Sequence, residues 1–202
     1  AAYLSGLGDA RPATSPTVVA AAVEVALSPF RAEPGENPYA VQADLQQLMN
    51  DLVGIIRRGP ELEQAVERLA AMRARVDAVS VEGHRQYNPG WHLALDLRNM
   101  LVVSEAVARA ARERTESRGG HTREDFPGMD PRWRRINLVC RPAPDGRSVE
   151  VTRQPVPPIP DELLDLFDAA ELAKYFTDQE LAGRGSQILA GADGRGERGE
   201  RS

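Results

Sequence analysis

Three times before residue 120 the chain gives the same instruction: a helix-starting dipeptide containing proline, then apolar residues spaced three and four apart. Asn37-Pro38 puts a side-chain acceptor at the N-cap and proline at the first helical position, where a missing N–H costs nothing. Val41, Leu45, Leu48, Leu52 and Ile55 then mark one helix face. Arg57 and Arg58 are expected in its last turn, where positive charge suits the carbonyl end of the dipole. Gly59-Pro60 opens a second helix with Glu61 and Glu63 at its start. Its stripe is Leu62, Val66, Leu69, Met72 or Arg73, Val76 and Val79. Asn88-Pro89 opens a third, predicted to reach Ser117, with Leu93, Leu97, Met100, Leu101, Ser104, Val107, Ala108 and Ala111 on one side. Single stripes and short connections predict a mainly α fold built on an antiparallel three-helix bundle.

The predicted lengths are unequal. Two helices of roughly 21 residues reach about 31 Å, and a third of roughly 29 reaches about 43 Å. The third should overhang the others and hold residues 116–127 out on an arm. Beyond it, alternation in residues 136–141 and 148–153 around Pro144-Asp145-Gly146 predicts a small β-hairpin. Residues 154–160 hold four prolines and should be extended. An extended acidic C-terminal tail follows, helical over residues 163–176, where seven acids and one lysine lie between Asp161 and Glu180. The last twenty residues are glycine-rich, lack a stripe and read as disordered.

The start of the chain differs in character. Ala1–Leu4 reads as the end of a helix stopped by Gly6 and Gly8, and one turn cannot sustain itself. Residues 17–27 are apolar on nearly every face, so that helix expects cover on all sides. Both features suggest that further polypeptide precedes Ala1. No stretch approaches the 18 or so apolar residues of a membrane span. Cys140, the single cysteine, excludes an internal disulfide and any multi-cysteine zinc or iron–sulfur site. Its alternation with Ile136 and Leu138 predicts a buried, inert thiol. The net charge of −5 argues against general nucleic-acid binding, although residues 109–141 carry nine arginines against five acids.

Arg98-Asn99-Met100-Leu101 on the third helix precedes the run Glu116-Ser117-Arg118-Gly119-Gly120-His121-Thr122-Arg123-Glu124-Asp125-Phe126-Pro127, then Asp130 and Trp133. This pattern resembles the C-terminal domain of the succinate dehydrogenase/fumarate reductase flavoprotein family, over about residues 37–160. The resemblance implies a helical domain braced against a larger FAD-binding body upstream. It implies succinate–fumarate interconversion in the intact enzyme, with electrons leaving FAD for an iron–sulfur subunit. Residues 1–36 then correspond to the end of the flavin domain plus a linker, 37–160 to the helical domain with its hairpin, 161–182 to an acidic helical extension and 183–202 to a disordered tail. FAD belongs to the intact subunit, and this chain alone is expected to bind no cofactor and to be inactive. Implied partners are the flavin domain and the iron–sulfur subunit, with membrane-anchor subunits reached only indirectly and no nucleic acid. The implied location is cytoplasmic, at the inner face of the plasma membrane. Gly120 departs from the alanine usual in the family. The run Arg123–Asp125 favours the respiratory branch over aspartate oxidase, which shares the beginning of the motif.

The residues leave two uses of the motif open. His121 could be a general acid oriented by Asp125 with Arg123 as electrophile, its cation favoured by the helix terminus. Alternatively it hydrogen-bonds backbone carbonyls and fixes the turn. Arg118, Arg123, Glu124 and Asp125 are either a solvated charge run or a defined loop that docks on a neighbour. Arg98, Asn99, Glu116, Ser117, Gly119, Phe126, Pro127 and Trp133 complete the structural or docking set, and no catalytic, cofactor-binding or metal residue is assigned. His84 and His92 lack a third ligand at metal-binding spacing. Trp91 and Trp133 read as core or interface anchors. The competing functional reading is a free-standing helical adaptor whose basic region binds an acidic partner; another flavoprotein of the family, such as aspartate oxidase, adenylylsulfate reductase or a fumarate reductase running in the reverse direction, is a third.

Overall fold

The computed structural model describes residues 14–31 and 35–182. The predicted helix end at Ala1–Leu4 and the glycine-rich residues 183–202 lie outside the described residues. The described residues are mostly helical, with two small sheets. Helix α1 (Pro16–Leu27) leads through a 3₁₀ turn into α2 (Pro38–Val53), strand β1 (Ile56–Arg57), α3 (Gly59–Asp77) and α4 (Pro89–Glu113). Strand β2 (Thr122–Arg123), a 3₁₀ turn (Pro131–Arg135), strands β3 (Ile136–Pro142) and β4 (Val149–Pro155), and short helices α5 (Asp161–Leu164) and α6 (Ala169–Ala173) follow.

The start signals act as the sequence predicts. The Asn37 side chain accepts from Tyr39 N–H at 2.9 Å, and that of Asn88 accepts from Trp91 N–H at 3.0 Å. Each of α2, α3 and α4 packs on the other two. Val41, Leu45, Leu48, Leu62, Leu69, Met72, Val76, Leu97 and Leu101 form the core, so Met72 rather than Arg73 fills the α3 stripe.

The ends differ from the stripes. Helix α2 stops at Val53 because Gly54 takes ψ −159° and leaves the helical region. Ile55 is therefore exposed instead of completing the face, and Arg57 lies in β1 instead of a last turn. Its guanidinium still serves the helix end, donating to Gly54 O at 2.9 Å. Helix α4 ends at Glu113, four residues early, where Arg114 becomes extended (φ −80°, ψ 105°). Val107 is turned outward and Glu105 holds the inner position, next to Leu101 and Ala108 on the buried face.

Strands β3 and β4 pair antiparallel with Cys140 opposite Val151, and Gly146 (φ 66°) and the Asp145 side chain close the turn. The hairpin lies on α4. Cys140 is exposed, which corrects the expected burial: the hairpin is covered by α4 over Val149 but not at Cys140. The predicted acidic helix is broken into α5 and α6 by the turn at residues 165–168. None of the α1 residues is buried, and Val18, Val19, Val23 and Val25 face outward. Among the described residues no helix is long and apolar enough to cross a membrane.

Candidate functional site

Residues 116–127 are not held out on an arm. Because α4 ends early, they fold back on its last turn and on the α2–α3 junction. Ile56 pairs with Thr122 and Arg57 with Arg123 in a two-residue parallel sheet, and Glu124 N–H donates to Arg57 O at 2.9 Å.

Arg123 is the centre of this clasp and is 2% exposed. One of its terminal nitrogens donates to Ala111 O, Arg112 O and Arg114 O at 3.0, 3.1 and 3.2 Å, covering carbonyls that α4 itself cannot satisfy. Its other donors grip Asp125 at 2.8 and 2.7 Å, a two-point ion pair. Asp125 also accepts from Gly59 N–H at 2.9 Å, so it caps the first residue of α3. The Arg123 guanidinium beside Asp125, together with that N–H, outweighs partial burial and lowers the Asp125 pKa to about 2. One arginine–aspartate pair thus joins the carbonyl end of α4 to the amide end of α3. Glu124 pairs with Arg58 outside the clasp.

Glu116 is fully buried and satisfied on every side. Arg114 pairs with one carboxylate oxygen, Arg118 donates at 3.0 Å to each oxygen through Nε and Nη2, and Asp130 N–H donates at 2.9 Å. Burial pushes the Glu116 carboxyl up, but Arg118, the Asp130 amide and Arg114 together hold it below the usual carboxylate range. The Ser117 hydroxyl accepts from Arg123 N–H at 2.8 Å and lies 2.8 Å from Phe126 O. Arg118 and His121 exchange backbone hydrogen bonds at 2.8 and 3.0 Å across Gly119-Gly120. Gly119 sits at φ 56°, a conformation that glycine adopts without penalty.

His121 uses both ring nitrogens. Arg57 is an obligatory donor, so Nδ1 accepts from it at 2.9 Å, and Nε2–H therefore donates to Arg114 O at 3.1 Å. Burial and the nearby Arg57, Arg123 and Arg114 charges lower its pKa, overcoming the Arg114 carbonyl. The helix end does not favour the cation, as expected above, because three guanidiniums share the site. Asp125 is held by Arg123 and Gly59 rather than orienting this imidazole. The arrangement closes a loop; it does not offer an acid–base pair to a substrate.

Of the other motif residues, Arg98 and Asn99 lie apart from the clasp, while Phe126 and Trp133 pack against its arginines. Arg98 donates to Ser28 Oγ at 3.0 Å and fixes the end of α1, where Trp91 Nε1–H also bonds Ala26 O at 2.7 Å. Asn99 and Pro127 are exposed. Phe126 lies against Arg123, its ring 4.9 Å from the guanidinium carbon. Trp133 is buried between Arg114 and Arg153, at 5.2 and 4.8 Å. Sequence reasoning missed Arg57, Arg58 and Arg114 as partners of the motif. It also missed Glu105, which is 1% exposed and paired with Arg73 and Arg109 beneath the hairpin. A carboxylate four residues after Leu101 and four before Arg109 was the available signal. Seven of the nine arginines in residues 109–141 are in ion pairs, so the basic region is internally compensated, which removes support from the adaptor reading. Among the described residues no group of three or more His, Cys, Asp or Glu could hold a metal ion.

Residues 42–160 match the family model described as fumarate reductase flavoprotein C-term. The chain belongs to this family. The matched range falls within the 37–160 anticipated from the motif and includes the whole clasp. As a fumarate reductase flavoprotein C-terminal domain, the chain is 36% identical over 97 residues to a fumarate reductase flavoprotein subunit of Mycobacterium tuberculosis, covering 48% of this chain and 17% of the relative. It is 33% identical over 96 residues to the succinate dehydrogenase flavoprotein subunit of Coxiella burnetii, covering 47% and 16%. A solved structure, Mycobacterium smegmatis Sdh1 in complex with UQ1, superposes with a TM-score of 0.81 at 48% identity, covering 90% of this chain and 31% of that one. The match therefore spans about a sixth of the length of these curated relatives.

Proposed function

We propose that this chain is the C-terminal helical module of an FAD-dependent succinate dehydrogenase/fumarate reductase flavoprotein subunit. It braces the flavin domain and presents surface to the iron–sulfur subunit. In the intact enzyme succinate and fumarate are interconverted, and the assembly lies at the inner face of the plasma membrane through its partner subunits. The three stripes and their short connections support an antiparallel bundle for residues 37–160, with residues 1–36 as the link to the flavin domain and 161–182 as an acidic extension. The intact Arg123-Glu124-Asp125 run favours the respiratory branch over aspartate oxidase.

The single observation that carries this reading is how the family motif is spent. Its buried charges, Glu116 and Arg123, are spent on helix-end carbonyls and neighbouring groups of the loop, and the exposed Glu124 is held by Arg58. These residues do not fit a cofactor site, and the reading assigns FAD and the reacting substrate to polypeptide outside this chain. The motif contributes rigidity. The same logic predicts that the chain alone neither binds FAD nor turns over succinate.

The test is charge reversal in the full-length enzyme. Arg118→Glu and Arg123→Glu should lower flavin content, succinate turnover and co-purification of the iron–sulfur subunit together. Retention of all three in both variants would overturn the bracing role, and a flavin absorption band on the isolated chain would overturn the assignment of FAD elsewhere.

A further inference from the structure

Helix α1 is held at one end and bare along the rest. Trp91 and Arg98 fix its last turn to α4, Val81 N–H donates to Pro29 O at 2.9 Å, and the Phe30 ring lies 5.4 Å from that of Trp91. Every residue from 14 to 25 is exposed. By helix spacing Val18 and Val25 stand on one side of α1, and Val19 and Val23 on another. A helix of twelve residues is marginal in water, and one that is apolar all round belongs inside a folded body. The bare surface continues onto α4. Arg98 also donates to Val25 O at 3.4 Å, and Val102 lies one turn beyond Arg98. Val102, Val103 and Val107 are all exposed, and α4 carries no charge between Arg98 and Glu105.

Three observations choose what covers this surface. It is nearly free of charge, since the one charged residue of α1, Glu24, is paired with Arg31. Permanent interfaces have that character and resemble a core cut in two, whereas partners that meet after folding present polar rims. Second, valines on two sides of α1 need cover from more than one direction. Polypeptide that folds together with the helix supplies this, and a single docked face does not. Third, the Mycobacterium smegmatis structure matches 90% of this chain, more than residues 37–202 can supply. Part of residues 1–36 therefore has its counterpart in that one polypeptide, of which the whole match makes up only 31%. A body tethered in this way meets α1 at high effective concentration and needs no charge to steer it.

We infer that α1 and the outer side of α4 seat in an apolar recess of polypeptide that precedes this module in the same subunit, with α1 as the inserted post. Val19 and Val23 meet one wall of the recess, Val18 and Val25 another, and Val102, Val103 and Val107 close its mouth. The inference rests on the bracing reading and deepens it: the braced face is assigned to these valines, and the clasp is left as internal stiffening.

The test measures hydrogen exchange in the unmodified full-length subunit, both within its complete assembly and after the partner subunits have been stripped away. Amides of α1 should exchange at least about 100-fold more slowly than in an unstructured peptide, and equally slowly in both preparations. Exchange at the unstructured rate, or protection that disappears with the partner subunits, would overturn the inference. A photo-activatable benzophenone side chain at Val103 of the full-length subunit identifies the cover directly. The expected adduct is intramolecular and maps to a peptide preceding Ala1. An adduct with another subunit, a second copy or lipid, or no adduct, would overturn the inference. Flavin content of the same preparation separates the two readings. A flavin-bearing subunit whose adducts fall elsewhere overturns this location alone, whereas a full-length product with no flavin-bearing body ahead of Ala1 overturns the bracing reading as well.

Discussion

Arg123 and Asp125, two residues apart, satisfy opposite helix ends through a single ion pair: the arginine covers the last carbonyls of α4, and the aspartate takes the Gly59 amide that opens α3. The pair is worth more than its Coulomb attraction, because each partner also fills a backbone vacancy at a helix end, and burial makes the one filled by Arg123 costly.

Arg123→Met should destabilise the clasp by about 1–3 kcal/mol, since it uncovers three helix-end carbonyls at once and removes the partner of Asp125. Arg123→Lys should recover only part of this, because an ammonium cannot form the two-point grip while reaching the helix end. Hydrogen exchange in the last turn of α4 and the first turn of α3 should rise together in both variants. Exchange confined to one helix would contradict the shared cap.

Acid should loosen the clasp in two stages. His121 has its pKa lowered in the folded chain from 6.5, so its contribution is complete above that value and declines as pH falls through it toward the folded pKa. Asp125 has its pKa lowered from 3.8 to about 2, so its contribution is present above about 4 and is lost as pH falls toward 2. Carboxyl and imidazole NMR titrations check both, and His121→Gln should remove the first stage while leaving the second.

Neighbouring glycines should respond in opposite directions to alanine. Gly119→Ala places a side chain at φ 56° and should cost about 1 kcal/mol. At Gly120 a Cβ meets nothing within 4 Å, and the residue is not in the left-handed region, so Gly120→Ala should stabilise by about 0.4–1 kcal/mol. Thermal unfolding of the two variants decides the point.

Glu105→Gln should weaken the hairpin more than the helices. The carboxylate is buried, pairs with Arg73 and Arg109, and accepts from Val149 N–H at 3.4 Å. Losing the charge should cost about 1–3 kcal/mol, read as faster exchange at Val149 and across β4. Unchanged exchange there would show that the Glu105 carboxylate does not hold the hairpin.

The helices were legible because their signals are local. Asn37, Gly59-Pro60 and Asn88 start them, and Leu45, Leu69 and Leu97 face inward as spacing requires. Helix ends were less legible. The Gly54 backbone and the extended Arg114 are set by contacts with residues far along the chain, which spacing cannot reveal. For the same reason the motif was recognisable as a unit while its geometry was not. Arg57 carries no mark that it will meet His121, and an arginine-rich stretch reads as a basic surface until its carboxylate partners are placed. Cys140 was misjudged because alternation reports that two faces differ, not that either is covered.

The pairing of β1 with β2 also bears on the order in which this chain can fold. Arg58 and Glu124 stand 66 residues apart, with α3 and α4 between them. Closing so long a loop for two residues of ladder is entropically unfavourable until both helices have docked. The clasp should therefore close last on refolding and open first on heating, so its formation reports that the helices around it have already assembled.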